Sequence, residues 1–261
     1  IIVSLITVSR QERMRTVDKH QSSKSAIYAI VDLETTGTSL TNGSRVIQIG
    51  CVLVQDQKII NQFESKVNPG VAIPQAVQQL TGIHNRDLKN APYFDELAPT
   101  IYALLTDTTF VAHNVNFDFA FINMELERAG YPALEIPAVD TVTLSQILMP
   151  TAESFRLRDL TKYLAIEHDN PHSAISDADA TATLLIDLMQ RLDKLPTPTL
   201  KRLQTMNLKL PLDTAIMFDR SLAQRQEHSY RLPDDLYISG ELVLHKVRPV
   251  QVANAVKRRP Y

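Results

Sequence analysis

Two β-prone runs of nearly equal length, Arg45 to Gln55 (RVIQIGCVLVQ) and Lys58 to Val67 (KIINQFESKV), are separated by Asp56 and Gln57 alone. A gap that short holds a tight reversal, so the runs are expected to pair as neighbouring antiparallel strands. Ahead of them, Ala26 to Leu33 (AIYAIVDL) is apolar and rich in β-branched residues, and it runs into the turn-rich TTGTSLTNGS. This segment reads as a buried strand ending in a loop, and the three runs together as an antiparallel meander.

Beyond the meander the hydrophobic period changes. Pro74 to Leu80, Phe94 to Leu105 and Phe117 to Ala129 carry helical spacing, with Gly82 and Gly130 placed as terminators. Thr109 to Ala112 (TFVA) and Ala138 to Thr141 read as short strands, Leu157 to Leu164 as a short helix and Ser173 to Leu192 as a long one. Strands first, then helices alternating with strands, predict an α/β fold with a mixed sheet flanked by helices. Pro196, Pro198 and the neighbouring threonines read as a linker, Leu200 to Leu222 as partly helical, and Leu232 to Tyr261 as too short for a domain of its own. The expected organisation is an N-terminal extension over 1–24, a principal domain over 25–194, and a linker with the start of another region over 195–261.

With 261 residues, 44% of them hydrophobic, the chain can bury a sizeable core. The single cysteine, Cys51, lies in an apolar run and reads as a core residue; one cysteine excludes a disulfide framework or a thiolate zinc site within one chain. The opening IIVSLITVSRQER is too short to span a bilayer and lacks the flanks of a signal peptide. The first methionine is Met14, so residues 1–13 read equally as native structure or as a translated upstream stretch. No membrane partner is expected, and the expected location is the cytoplasm.

A formal net charge of −2 conceals an asymmetry. Residues 26–194 hold 11 Lys and Arg against 21 Asp and Glu, whereas 1–25 hold 5 against 2 and 195–261 hold 11 against 6. An acidic body repels polyanions unless cations reverse the field where they meet.

Three short segments carry the chemistry. Asp32 and Glu34 stand two apart at the end of the first strand, so both side chains are expected on one face. Two carboxylates together imply a compensating cation or a raised pKa. In His113-Asn-Val-Asn-Phe-Asp118, which follows TFVA, Asn114 or Asn116 can cap a helix whose first turn contains Asp118, a position also favoured by the helix dipole. In His172-Ser-Ala-Ile-Ser-Asp177-Ala-Asp179, the two aspartates cannot share a helix face. Asp177 is taken as the functional one and Asp179 as a solvated charge, with Ala178, Ala180 and Ala182 allowing close approach to the sheet. His172 precedes the helix in a loop, and its imidazole can serve as a base.

In order, type and spacing these segments resemble the three motifs of the DnaQ-like 3′→5′ exonucleases of DEDDh type, over roughly Ser25 to Leu192. The resemblance implies an RNase H-like fold with a central five-stranded mixed sheet. It also implies that Asp32, Glu34, Asp118 and Asp177 hold two Mg²⁺ or Mn²⁺ ions, hard cations suited to oxygen ligands, and that His172 activates water. The expected reaction removes nucleoside 5′-monophosphates from 3′ ends, with single-stranded DNA as the substrate. Thr35, Thr36 and Gly37 resemble the loop that lies against the terminal nucleotide. Leu80 and Ile83, in Leu80-Thr81-Gly82-Ile83, resemble an apolar wedge at the terminal base, although core packing explains them equally well. Asn114 matches a position near the scissile phosphate.

Near the end, Arg248-Pro249-Val250-Gln251 resembles the glutamine motif ahead of the ATP-binding loop in helicases of the DinG kind, which in Gram-positive bacteria often carry an N-terminal DnaQ-like exonuclease. No G-x-x-x-x-G-K-[ST] occurs in the 261 residues, so ATP hydrolysis by this chain is not expected; on this reading the chain stops where a motor begins. Helicase or DNA polymerase machinery are the expected partners. Two alternatives remain at this point: an RNA-trimming exoribonuclease of the same family, and a non-catalytic nucleic-acid-binding or replication scaffold module.

Overall fold

The structure is a computed structural model describing residues 25–206 and 208–227 and the backbone of 236–239 and 242–245. The N-terminal extension over 1–24 and the Arg248 to Gln251 motif lie outside the described residues.

Three strands form the expected meander: β1 (Tyr28–Thr35), β2 (Val46–Gln55) and β3 (Lys58–Lys66). Asp56 and Gln57 both take positive φ, 51° and 58°. That is the signature of the primed turn whose twist matches the flanking strands, here adopted without glycine or asparagine. Strands β4 (Thr109–Ala112) and β5 (Ala138–Asp140) then add in parallel, giving the order β3-β2-β1-β4-β5. The sheet is mixed, as expected, and β1 lies at its centre. A register shift at Glu34/Thr35 breaks the β1–β2 ladder where the strand leaves the sheet. Such irregularities re-aim side chains at the ends of strands.

Before β4 lie α1 (Gln75–Thr81) and α2 (Phe94–Leu105), and after it α3 (Val115–Arg128). Gly82 at φ 71° ends α1 and donates its N–H to Gln78 O at 3.0 Å, satisfying one orphan carbonyl. After β5 come α4 (Thr141–Leu148), α5 (Leu157–Leu164), α6 (Ala174–Lys194), α7 (Thr197–Thr205) and α8 (Ile216–Glu227). Strands β6 (Leu236–Ser239) and β7 (Leu242–His245) pair with each other in a separate two-stranded sheet.

Alternation along β1 divides the core between the two faces of the sheet. Ala29, Val31 and Leu33 face a cluster built with Ile101, Phe110, Phe121 and Leu126 of α2, β4 and α3. Tyr28 and Ile30 face the opposite cluster, with Leu144, Leu160, Leu184 and Leu188 of α4, α5 and α6. Asp32 and Glu34 share the parity of Ile30, which directs them toward the α6 side.

Pro196 stands at the N-cap of α7 and Pro198 in its first turn, so a helix begins where the sequence suggests a linker, and the residues beyond continue this second cluster: Leu200 of α7 and Phe218 of α8 are fully buried in it. Asp213 and Thr214 also bond to the outer edge of β5. Asp213 N donates to Ala138 O at 2.9 Å, Ala138 N donates to Asp213 Oδ2 at 3.2 Å, and Asp140 N donates to Thr214 Oγ1 at 3.0 Å. An edge strand otherwise presents unpaired backbone groups, and this segment covers them. Among the described residues no helix is long and apolar enough to cross a membrane.

Candidate active site

Asp32 reaches the site because of what stands across from it. Its partner on β2 is Gly50. A Cβ there would lie 2.3 Å from Ala174 O and 2.5 Å from Ile175 N, so the first turn of α6 rests directly on the strand backbone. Gln48, two residues earlier and on the same face, accepts a hydrogen bond from Ala174 N at 3.2 Å. Buried Ala178 and Ala182 continue the close approach along α6. Together these contacts set Asp177, in the first turn of α6, over the end of β1.

Asp118 arrives from the other face. It is buried in the first turn of α3, and its Oδ1 accepts from Leu33 N at 3.1 Å, fixing the carboxyl on the β1 backbone between Asp32 and Glu34. The helix start that carries it is held by Asp140, not by Asn114. Asp140 Oδ2 accepts from Val115 N at 2.8 Å and Oδ1 accepts from Thr143 N at 2.7 Å, so one carboxylate caps both α3 and α4. Asn114 takes a left-handed conformation at φ 85°, makes no side-chain cap and leaves its side chain exposed. Asn116 is likewise exposed.

Glu34, His172 and Asp177 each offer a ligand atom within 4.8 Å of the others. His172 is exposed and strained at φ 66°, and its N–H donates to Asp177 Oδ2 at 3.2 Å. Asp177 Oδ1 meets His168 Nε2 at 2.5 Å, a contact with a residue that the motif spacing does not reveal. Asp179 points elsewhere and accepts from Gln62 at 2.8 Å, in line with its expected place away from Asp177.

Electrostatics follow from crowding. Burial, then the carboxylates of Asp118, Asp177 and Glu34, push the Asp32 carboxyl well above the usual range. Burial raises Asp118 likewise, opposed by backbone hydrogen bonds from its own N–H and from Leu33, with Glu34 and Asp140 adding repulsion. Burial and the neighbouring Asp177 raise Glu34 to about 8. Among the described residues no Lys or Arg forms an ion pair with Asp32, Glu34 or Asp118. Buried Asp118 and half-buried Asp32 and Glu34, which repel one another and lack a cationic side chain, fit a divalent cation, and all-oxygen donors suit a hard one.

The surrounding loop is self-supporting. Thr35 Oγ1 donates to Gly37 O at 2.8 Å, and Thr36 Oγ1 accepts from Arg45 N at 3.0 Å. A Cβ on Gly37 would sit 2.9 Å from Ser44 Oγ, which keeps this loop narrow. The two apolar wedge candidates are separated: Leu80 is 57% exposed, whereas Ile83 is buried with Ile47, Ile73 and Leu88. Sequence reasoning missed His168, Gly50, Gln48 and Asp140. Only Gly50 carried a signal, as a lone glycine within a strand.

Comparison with known proteins agrees with this geometry. The exonuclease family RNase_T matches residues 29–185. The chain is 36% identical over 192 residues to the 3′-5′ exonuclease DinG of Bacillus subtilis strain 168, covering 74% of this chain and 21% of that protein. It is 36% identical over 219 residues to the protein of that name from Staphylococcus haemolyticus strain JCSC1435, covering 84% of this chain and 24% of the relative. The chain thus spans about a quarter or less of the length of these relatives. Exonuclease X in complex with 5′-overhanging duplex DNA superposes with a TM-score of 0.50 at 25% identity, over 62% of this chain and 91% of that one. E. coli exonuclease I in complex with a dT13 oligonucleotide shares the fold, with a TM-score of 0.59 at 21% identity, over 70% of this chain and 44% of its own. So does the nuclease domain of 3′hExo, a DEDDh family member bound to rAMP, with a TM-score of 0.56 at 16% identity, over 65% and 94%. With a family match over more than half its length, the chain belongs to the exonuclease family RNase_T, and its mixed five-stranded sheet has the RNase H-like fold.

Proposed function

We propose that this chain is a 3′→5′ exonuclease that hydrolyses the terminal phosphodiester of single-stranded DNA, using Asp32, Glu34, Asp118 and Asp177 to hold two Mg²⁺ or Mn²⁺ ions. The observation that carries this reading is the meeting of three carboxyls with raised pKa values and no cationic partner beside Asp177 and an exposed histidine. When bound, such cations would acidify water and offset the charge that builds on phosphorus and on the leaving oxygen.

The chain's own residues supply the rest. His172 lies open to solvent beside Glu34 and Asp177, where its ring can take the proton from the attacking water. Oxygen from water bonds to phosphorus and the bond from phosphorus to the 3′ oxygen breaks. The terminal residue departs as a nucleoside 5′-monophosphate, and the 3′ oxygen left on the shortened strand takes up a proton. Thr35 and Thr36 spend their hydroxyls within the loop, so this loop would meet the terminal nucleotide through its backbone and Gly37. Exposed Leu80 is free to press on a base, and exposed Asn114, at the start of the helix bearing Asp118, can reach a phosphate oxygen. Ile83 contributes by packing α1 in place. Attachment to a helicase-like region beyond residue 195 is part of the same proposal, supported by the Arg248 to Gln251 motif.

The test uses 5′-labelled DNA and RNA oligonucleotides with Mg²⁺, Mn²⁺ or EDTA, and the variants Asp32→Ala and His172→Ala. Metal-dependent release of mononucleotides from the 3′ end, lost in Asp32→Ala, is the expected result. Absence of that release, or equal release by Asp32→Ala, would overturn the proposal. Faster degradation of RNA than of DNA by more than about tenfold, roughly 1.4 kcal/mol in the barrier, would reassign the substrate.

A further inference from the structure

The geometry points to His168 as a positioning residue that sets the Asp177 carboxylate for cation binding, an inference resting on the metal-dependent reading above. The two histidines near Asp177 differ in kind. His172 is exposed on a strained loop, whereas the His168 side chain is only 7% exposed and the Asp177 side chain 14%. His168 Nε2 lies 2.5 Å from Asp177 Oδ1, and its Nδ1 lies 3.4 Å from the hydroxyl of buried Thr161. That hydroxyl also lies 3.0 Å from Arg158 O in the first turn of α5, its single proton serving one of the two acceptors at a time, and it places the ring against a helix outside the three motifs.

Hydrogen-bond accounting gives the ring its orientation. An ionised carboxylate only accepts, so Nε2 must carry the proton toward Asp177. Asp177 Oδ2 is held separately by His172 N. With one donor on each oxygen, rotation about the last side-chain torsion, normally broad for aspartate, is arrested. Each oxygen has a second lone pair to offer, and a ligand atom of Asp177 lies within 4.8 Å of ligand atoms of Glu34 and His172. Histidine against a carboxylate is a recurrent means of orienting a metal ligand. Here the roles are reversed, the carboxylate being the candidate ligand and the histidine its support.

The experiment measures Mn²⁺ binding to substrate-free protein by electron paramagnetic resonance, alongside kcat and KM on an oligonucleotide and thermal unfolding in EDTA. His168→Ala is expected to weaken Mn²⁺ binding about 10-fold to 100-fold and to lower kcat at limiting metal, with partial recovery at high Mn²⁺. KM for the oligonucleotide should change by less than about threefold, well under the 1.4 kcal/mol that a tenfold change represents. His168→Gln, which keeps an N–H donor, should recover most of the binding, and His168→Met, of similar bulk with no donor, should not. Gln and Met variants that bind Mn²⁺ alike, or an Ala variant that folds and binds like wild type, would overturn the assignment. If the Ala variant does not fold, the Gln and Met pair decides. Wild-type protein that binds Mn²⁺ but releases no mononucleotide would sink the hydrolytic reading, while the variant series would still decide the role of His168.

Discussion

Glu34→Gln should stabilise the metal-free protein at alkaline pH, although it removes a proposed ligand. In the folded chain the Glu34 carboxyl titrates at about 8 against an ordinary 4.5, because burial and then Asp177 penalise its charge. A raised acid favours folding most fully below its unfolded pKa, and that advantage is lost as pH rises through the folded value. The window for this group is therefore about pH 4.5 to 8. At about 1.36 kcal/mol per tenfold change in proton affinity the whole displacement would amount to about 5 kcal/mol, and partial exposure to water brings a realistic value to about 2–3 kcal/mol. Glutamine has no proton to lose, so in urea titrations with EDTA it should match wild type at about pH 4 and below and exceed it by that amount near pH 8.5. Subtracting the two proteins cancels the titration of shared groups remote from Glu34, while relief of its repulsion on Asp32 and Asp118 acts in the same direction. Mg²⁺ should reverse the order, since a cation bound by the folded state stabilises the protein that binds it more tightly. A Glu34→Gln variant less stable than wild type at pH 8.5 in EDTA, or a difference independent of pH, would refute the account of a carboxyl cluster strained by its own charge.

Three further outcomes follow from packing and capping. Gly50→Ala should cost about 3 kcal/mol or more, because overpacking in a tight contact typically costs 1–3 kcal/mol and here the added atom meets backbone; urea denaturation would show the loss, and activity should fall with every acid intact. Asp140→Ala removes the acceptor for two helix-start amides and should cost about 2–4 kcal/mol by the same assay. It should also lower kcat through Asp118, whereas Asp140→Asn, retaining one acceptor oxygen, should lose less. Phe218→Ala should cost about 3–5 kcal/mol, as for other fully buried aromatics. Limited proteolysis should then cut sooner near 197–227, a result that a freely hanging α8 would not give.

Much of the architecture was legible because local chemistry and final structure agree. The Asp56-Gln57 reversal and the parity of Asp32 and Glu34 on β1 depend on contacts a few residues apart. What escaped depends on distant partners. Asp140 caps its own helix α4 locally through Thr143 N, but its other oxygen holds Val115 N at the start of α3, a contact that exists only once β4 and β5 are paired. Ile83 and Leu80 share one apolar signature, and only the cluster with Ile47, Ile73 and Leu88 buries the first while leaving the second exposed.

By itself the sequence determined the sheet, the order of the three acidic segments and the family chemistry they resemble. The reason is that strand period, helical period and turn length are short-range properties written in adjacent residues. Tertiary structure alone decided how the acids are held: Gly50 admits the backbone of α6 to β2, Asp140 anchors two helices at once, and His168 turns inward to Asp177 while His172 stays in water. Raised carboxyl pKa values belong to that second category, since burial and mutual repulsion exist only once β1, α3 and α6 have been brought together.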